Sequence, residues 1–244
     1  LPAFTIISCI GQIIRSGATP VLVDSDPLTW NMNLKQVEEK ITEHTKAIMV
    51  VHIFGLPVDV EPLLEIAKNK NIKIIEDAAE MHGQTYYEKP CGSFGDISTF
   101  SFYSNKLITT GEGGMLVTDD EQLAMDCRSL RNLCFQPKKR FVHERLGWNY
   151  RMTNLQAALG LAQLERLDEF VQRKRRMGKK YTQGLRELNE VVLTSSTFSS
   201  AVGIQAHAKD CINRSYLDVV NEVIASGIRD MTSQEGGVVS AQDA

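Results

Sequence analysis

Residues 72–77 read IKIIED, a short apolar run that ends in two carboxylates and decides the fold class. Runs of similar character occur at 20–24 (PVLVD) and 47–51 (AIMVV), and short apolar runs rich in Val and Ile are typical of buried strands. The stretches LKQVEEKI and VEPLLEIAKNK between them carry apolar residues at helical spacing, with charges on the outer face. This alternation predicts an α/β fold with a mostly parallel sheet and flanking helices.

The second half of the chain continues the pattern with two strands and a long helix. ISTFSF (97–102) and GGMLVT (113–118) read as strands that are joined through LITTGE. Residues 153–170 carry helical spacing throughout, which predicts one long helix. Thr153 is followed three residues later by Gln156, a capping box that places the start of this helix at Thr153.

Composition excludes several classes of function. The chain has 244 residues, of which 43% are hydrophobic and 23% charged, and its formal net charge is −3. No basic field therefore favours nucleic acid or an anionic membrane as a partner. No apolar run approaches the roughly 20 residues of a membrane span, and the N-terminal stretch lacks the basic start of a signal peptide. These features predict a cytoplasmic protein.

The five cysteines carry no metal-site pattern. They are scattered along the chain, with no C-x-x-C pair and no histidine at metal-ligand spacing. We therefore expect reduced thiols and no metal centre.

The two ends of the chain differ from its middle. The sequence opens inside an apolar segment, LPAF, so we expect that an element which should precede it is absent. The last fifty residues are rich in small polar residues, and only residues 216–228 show helical spacing there. The predicted organisation is a large domain over residues 1–185, lacking its first elements, and a partial or divergent C-terminal segment over 186–244.

Three polar residues stand where chemistry collects in such folds, at or near the carboxyl ends of strands and at a helix start. Asp77 is either a cap of the following helix or a functional carboxylate. Lys106 is either a solvated lysine or a functional amine. Asn154 is either a second capping group or a ligand for an anion at the positive end of the helix dipole.

Together these residue types fit one cofactor. Pyridoxal phosphate needs a lysine for a Schiff base, a carboxylate beside its pyridinium nitrogen and donors around its phosphate. Lys106, Asp77, Ser101 and Asn154 supply those groups. The glycine cluster at 111–114 lacks the lysine and the helix of a phosphate-binding P-loop, so no nucleotide motif competes.

Longer motifs carry a family resemblance. EDAAEMHG (76–83), GSFGDISTFSFYSNKLITTGEGGMLVTDD (92–120) and GWNYRMTNLQAALGLAQLERLDEF (147–170) occur in this order. Over about residues 1–193 the chain resembles the DegT/DnrJ/EryC1/StrS family of sugar-nucleotide aminotransferases, and within it the branch that makes GDP-perosamine. The resemblance implies the fold of aspartate aminotransferase, fold type I, for the large domain.

The resemblance also implies roles for individual residues. Lys106 matches the family lysine that binds pyridoxal phosphate and then shuttles the proton, and Asp77 matches the partner of the pyridine nitrogen. Ser101 matches a hydroxyl on the cofactor phosphate. Asn154 matches an asparagine that reaches the phosphate from the neighbouring subunit, which implies a homodimer with shared active sites.

Three further positions follow from the same comparison. Ala78 and Glu80 are expected to contact the cofactor, Glu80 where many family members carry glutamine near the ring. His143 lies where family members reach toward the sugar, although a solvated loop histidine fits the sequence equally well.

The lysine also indicates which reaction to expect. A related branch carries histidine at this position and removes the 3-hydroxyl of the sugar, whereas Lys106 implies amination. The expected reaction transfers the amino group of glutamate to a nucleotide-linked 4-keto-6-deoxy sugar, with GDP-4-keto-6-deoxymannose the best guess, for surface polysaccharide synthesis. The alternative is a catalytically inactive truncated paralogue that binds a full-length aminotransferase.

Overall fold

The computed structural model describes residues 1–185, 191–193 and 206–208. Its strands are β1 (Ala47–Val51), β2 (Lys73–Asp77), β3 (Thr85–Tyr86), β4 (Lys89–Pro90), β5 (Ile97–Ser101), β6 (Gly114–Val117), β7 (Phe135–Gln136), β8 (Lys139–His143), β9 (Val191–Leu193) and β10 (Ala206–Ala208). Its helices are α1 (Ile7–Arg15), α2 (Leu34–Lys40), α3 (Val60–Lys70), α4 (Glu121–Leu130), α5 (Asn154–Leu164) and α6 (Leu167–Leu185).

The central sheet has four strands in the order β1-β2-β5-β6. β1, β2 and β5 are parallel, whereas β6 returns antiparallel to β5. The register aligns Val51 with Asp77 and Asp77 with Thr99, so the carboxyl ends of the three parallel strands meet at one edge of the sheet. The predicted α/β fold with a mostly parallel sheet is confirmed. Outside this sheet, β3 pairs with β4, β7 with β8 and β9 with β10.

Strand β1 packs against other elements on both of its faces, as is typical of parallel strands. On one face Ile48 and Val50 of β1 pack into a core with Val37 of α2 and Leu63 of α3. On the opposite face Val51 packs in a second cluster with Cys9 of α1 and Ile53. Continuous apolar strands such as AIMVV are needed because both faces exclude water.

Polar caps fix several helix starts. Asn33 caps α2 and Asp120 caps α4, each by accepting a hydrogen bond from a backbone N–H of the first turn. The predicted capping box of Thr153 and Gln156 is present at the start of α5. α3 ends at Asn71, whose φ of 53° gives the left-handed turn that terminates many helices.

Two predicted elements are wrong. PVLVD is not a strand, because only Val23 pairs, in a single bridge to Pro2 that is made by the carbonyl of Leu1 and the N–H of Ala3. The helix predicted over 153–170 is two helices, α5 and α6. Between them the N–H of Arg166 bonds to the i−3 carbonyl of Gln163 and not to the i−4 carbonyl. This bond forms a 3₁₀-type turn that separates the two helices.

Further expectations concern the cysteines, metal binding and membrane spans. In the described part of the chain Cys9, Cys91, Cys127 and Cys134 are free thiols, and no cluster of three or more metal-binding side chains occurs there. No helix among these residues is long and apolar enough to cross a membrane. Cys211 and the helical spacing at 216–228 lie outside the described residues.

Candidate active site

A cleft of about 630 Å³ opens at the carboxyl ends of the parallel strands. Its wall includes the last residue of each strand, Val51 of β1, Asp77 of β2 and Ser101 of β5. Ligand clefts of this size are typical of small-molecule and cofactor sites, and the carboxyl edge of an open α/β sheet is where they form.

Lys106 and Glu80 face each other across this cleft. Lys106 Nζ lies 3.0 Å from Glu80 Oε1, and the side chains are 17% and 37% exposed respectively. Lys106 follows the predicted strand ISTFSF and does not lie on β5, which ends at Ser101. Instead it lies in the turn that follows, where its N–H bonds to the carbonyl of Tyr103. The turn brings a partly buried amine to the cleft wall.

Asp77 presents its carboxylate to the same cleft. Its Oδ1 accepts a hydrogen bond from the backbone N–H of Ala79 at 3.0 Å, and its Oδ2 accepts one from the thiol of Cys9 at 3.2 Å. No described helix begins directly after β2, so the helix-capping alternative for Asp77 is wrong.

A second acidic residue, Glu76, points into the core on the opposite side of β2. Its carboxylate accepts a hydrogen bond from His52 Nε2 at 2.9 Å, together with four further donors: the backbone N–H groups of Gly92, Phe94 and Gly95 and the hydroxyl of Ser98. The N–H of Val58 donates to His52 Nδ1, so the ring proton of His52 is on Nε2 and points at Glu76.

These contacts determine the charge of Glu76. Burial alone would raise the pKa of Glu76, but hydrogen bonds from His52, Gly92 and Phe94 outweigh burial and lower this pKa to about 2. Glu76 is therefore an ionised carboxylate whose acceptor positions are filled by the protein. Its hydrogen bonds attach the 92–98 segment to β2.

His82 is a buried histidine close to Lys106. Burial, reinforced by the positive charge of Lys106, lowers the pKa of His82 to about 4. Its ring lies near Phe100 and Phe102, with centroids 5.7 and 5.8 Å away. His82 is therefore neutral near pH 7 and adds no second positive charge beside the lysine.

The structure groups most, not all, of the predicted site residues. Asp77, Glu80, Ser101 and Lys106 line the cleft. Ala78 is fully buried beneath it, in the cluster that contains Met81.

The other two predicted residues lie elsewhere, and neither is among the residues lining this cleft. Asn154 is exposed at the first position of α5. His143 is the last residue of β8, is exposed, and bonds through Nδ1 to the carbonyl of Leu133 at 2.6 Å.

Sequence reasoning missed several contributors to the cleft. Thr5 and His52 line it, and Cys9 holds Asp77 from α1, 68 residues away in sequence. His52 could have been found, because it is the first polar residue after the apolar strand β1. Nothing in the apolar segment around Cys9 indicates a polar contact, so that partner is visible only in three dimensions.

A larger cleft, of about 890 Å³, lies against β6 and α4. It is lined by Arg128, Arg131 and Arg151, among others, but by neither Lys106 nor Asp77. We assign the chemistry to the smaller cleft, because only that one combines an amine, carboxylates and hydroxyl groups.

The residues of the smaller cleft fit pyridoxal phosphate. The partly buried amine of Lys106 can hold the cofactor covalently, and Asp77 keeps acceptor positions beyond those used by Ala79 and Cys9 for a ring N–H. Hydroxyl groups of Ser8 and Ser101, which also line the cleft, can donate to a phosphate.

Comparisons with known proteins identify the family of this chain. The family model described as "DegT/DnrJ/EryC1/StrS aminotransferase family" matches residues 1–217, which extends past residue 193, where we expected the resemblance to end. GDP-perosamine synthase from Escherichia coli O157:H7 is 48% identical over 191 residues, which are 78% of this chain and 52% of that protein. GDP-perosamine synthase from Caulobacter vibrioides is 49% identical over 192 residues, 79% of this chain and 52% of that protein. The chain thus spans about half the length of these relatives.

Solved structures show the same fold. An aminotransferase of pseudoaminic acid biosynthesis from Helicobacter pylori superposes with a TM-score of 0.79 at 27% identity, covering 86% of this chain and 58% of that one. GDP-4-keto-6-deoxy-D-mannose-3-dehydratase from E. coli, with bound hydrated PLP, superposes with a TM-score of 0.78 at 26% identity, covering 93% of this chain and 63% of that one. The predicted large-domain fold, fold type I, is confirmed.

Proposed function

This chain belongs to the DegT/DnrJ/EryC1/StrS aminotransferase family, and we propose from this premise that the protein is a pyridoxal-phosphate-dependent sugar-nucleotide aminotransferase. The observation that carries the proposal is the meeting of Lys106, Glu80 and Asp77 in one cleft at the carboxyl edge of the sheet. In this proposal residues 1–185 form the cofactor-binding domain, and residues 186–244 belong to a C-terminal segment.

The substrate we propose is a 4-keto-6-deoxy sugar on a nucleoside diphosphate, with GDP-4-keto-6-deoxymannose as the best candidate and glutamate as the amino donor. Two observations support this choice. The relatives at 48% and 49% identity are named GDP-perosamine synthases, and a structural neighbour is named for a GDP-4-keto-6-deoxy-D-mannose reaction. The product would serve surface polysaccharide synthesis.

The residues of the cleft would divide the work. Pyridoxal phosphate, when bound, supplies an electron sink for the negative charge left by removal of a proton from the donor. Asp77 would stabilise a positive charge on the ring nitrogen, and Ser101 would donate to the phosphate. Lys106 Nζ would take the α-proton of glutamate and later return a proton to the sugar carbon that receives nitrogen.

Glu80 has a role that follows from its contact. Its Oε1 accepts a hydrogen bond from Lys106 Nζ at 3.0 Å, which keeps the amine against the cleft wall. A base works only within hydrogen-bond reach of its proton, so Glu80 keeps the lysine in place when it is not bound to the cofactor.

The substrate is tested with a panel. The full-length protein is incubated with pyridoxal phosphate, glutamate and the GDP-, dTDP- or UDP-linked 4-keto-6-deoxy sugar, and 2-oxoglutarate and amino sugar are measured. We expect stoichiometric formation of both products, fastest with the GDP-linked sugar.

A matched lysine variant controls this assay. Lys106→Ala should abolish both products, whereas Lys73→Ala should leave them unchanged, because Lys73 pairs with Asp96 on the surface, at a position that does not line the cleft. A protein that binds no pyridoxal phosphate and forms neither product would overturn the proposal in favour of a non-catalytic binding partner.

We also propose that the protein is a homodimer with shared active sites. α5 has no buried residue among those described, although Leu155, Leu159 and Leu161 are 86%, 51% and 58% exposed. Large apolar side chains exposed along one helix are typical of a protein interface. Asn154 begins this helix, at its positive end, and would reach the phosphate of the neighbouring subunit.

Mixed dimers test the shared site. Lys106→Ala and Asn154→Ala variants of the full-length protein are co-expressed with different tags, and the heterodimer is purified. One of its two sites then has all wild-type groups, so activity should return toward half that of wild type. Heterodimers as inactive as both homodimers would mean that Asn154 does not act on the neighbouring site.

A further inference from the structure

Asp77 is held by a short chain of hydrogen bonds that begins beside the cleft. The hydroxyl of Thr5 lies 3.5 Å from the sulfur of Cys9, and this sulfur lies 3.2 Å from Asp77 Oδ2. Cys9 is 7% exposed and packs with Val51 and Ile53, so the contact is shielded from water.

The two donors to Asp77 approach its two oxygens separately. Ala79 donates to Oδ1 from the turn after β2, and Cys9 donates to Oδ2 from α1. Rotation of an aspartate carboxylate about its last bond is otherwise loosely restricted. With one donor on each oxygen the plane of the carboxylate is set, and one acceptor position remains on each oxygen.

We propose that Cys9 is a positioning residue for Asp77 and that Thr5 orients its thiol, an inference that rests on the proposed function of Asp77 as the partner of the cofactor ring nitrogen. Thr5 donates to the sulfur, which leaves the S–H directed at Asp77. Loss of the thiol leaves Oδ2 without its donor and lets the carboxylate rotate.

A thiol suits this role because it orients the carboxylate without neutralising it. Burial raises the pKa of Cys9 to about 11, against a hydrogen bond from Thr5 that lowers it, and the charge of Asp77 raises it further. Cys9 therefore stays protonated and remains a donor near pH 7. Because S–H is a weak donor, most of the negative charge stays on Asp77.

The first experiment needs no cofactor. Alkylation of Cys9 by a small reagent is followed by peptide mass spectrometry at one fixed, mildly alkaline pH. Asp77→Asn removes the charge that holds the proton on sulfur, so Cys9 should react about three to ten times faster than in wild type. Thr5→Val removes a donor to the sulfur, so Cys9 should react more slowly than in wild type.

Cys91 provides an internal control in the same digest. It is also buried, and burial followed by the charge of Glu76 raises its pKa to about 12. Its alkylation rate should be unchanged by Asp77→Asn, which excludes a general loosening of the fold as the cause.

The second experiment uses the loaded full-length enzyme. Cys9→Ala should lower kcat about tenfold with little change in KM for the donor, because an orienting contact rather than binding is lost. Cys9→Ser keeps a donor and should be intermediate, whereas Cys91→Ala removes a buried thiol elsewhere and should match wild type.

The outcomes separate this inference from the proposed function. Equal alkylation of Cys9 in wild type and Asp77→Asn, or a kcat of Cys9→Ala equal to that of wild type, would overturn the positioning role. Failure of every variant and of wild type to bind pyridoxal phosphate would overturn the proposed function, while the alkylation result would still decide the hydrogen bond.

Discussion

Glu76 and Asp77 are neighbours on one strand, yet the two sides of β2 use them in opposite ways. On the core side Glu76 accepts hydrogen bonds from five donors, which exceeds the roughly four lone-pair positions of a carboxylate. On the cleft side Asp77 accepts two among the described residues. A saturated carboxylate has no acceptor position left for a ligand, whereas an unsaturated one beside a 630 Å³ cleft does.

The number of donors, not the residue type, distinguishes the carboxylate that is saturated by the protein from the one that remains open to a ligand. Adjacent strand residues point to opposite faces, so a shift of one position exchanges the two roles. Predictions that exchange or remove one carboxylate at a time therefore test the assignment.

The largest effect is expected for Asp77→Asn. The amide keeps the size of the side chain and an acceptor for Ala79, but it removes the negative charge from the cleft. Turnover of the full-length enzyme should fall about a hundred- to a thousandfold, while the free energy of unfolding changes by less than about 1 kcal/mol. Steady-state kinetics measure the turnover, and urea titration of the same preparation measures the free energy of unfolding. Near-normal turnover would remove Asp77 from the proposed chemistry.

The reverse result is expected for Glu76→Gln. The new amide group would face backbone N–H groups of Gly92, Phe94 and Gly95 with donors of its own, leaving buried polar groups unpaired. Unfolding should become easier by about 3 kcal/mol or more, measured by urea titration. Asp126→Asn, in an exposed ion pair with Arg145, is the matched control and should change stability by less than about 1 kcal/mol. Glu76→Gln with the stability of wild type would contradict the structural role.

Lowering the pH should destabilise the folded protein through Glu76, the carboxylate on the core side of β2. The pKa of Glu76 is lowered from 4.5 to about 2 in the folded state, so its contribution to stability is complete above pH 4.5 and is lost as the pH falls toward 2. The contribution is on the order of 3 kcal/mol. The free energy of unfolding is measured against pH for wild type and Glu76→Gln, and the difference between the two curves gives the contribution of Glu76. Equal slopes of the two curves between pH 4.5 and 2 would refute this contribution.

Local patterns predicted the framework well. The boundaries of β1 and α3 agree with the runs AIMVV and VEPLLEIAKNK, and the capping box placed the start of α5. These features depend on side chains that are close in sequence. The break between α5 and α6 was missed because no glycine or proline marks it. The strand predicted at PVLVD was wrong because only Val23 finds a partner, in one bridge to Pro2 that is distant in sequence.

The site was predictable where one residue type is diagnostic and not where its partner is distant. Lys106 and Asp77 could be proposed from the sequence because a lysine and a carboxylate suit one cofactor. Their contacts could not, because Cys9 meets Asp77 across 68 positions and Glu80 meets Lys106 across 26. The saturation of Glu76 likewise depends on the 92–98 segment folding back against β2.

Trapping the cofactor on the protein tests the central claim most directly. The full-length protein is mixed with pyridoxal phosphate, reduced with borohydride, digested and mapped by mass spectrometry, with Lys106→Ala and Lys73→Ala treated in parallel. The account predicts one reduced pyridoxyl group on Lys106 in wild type and in Lys73→Ala, and none at this site in Lys106→Ala. Stable attachment to a different lysine, or an equal yield of adduct in Lys106→Ala, would contradict it.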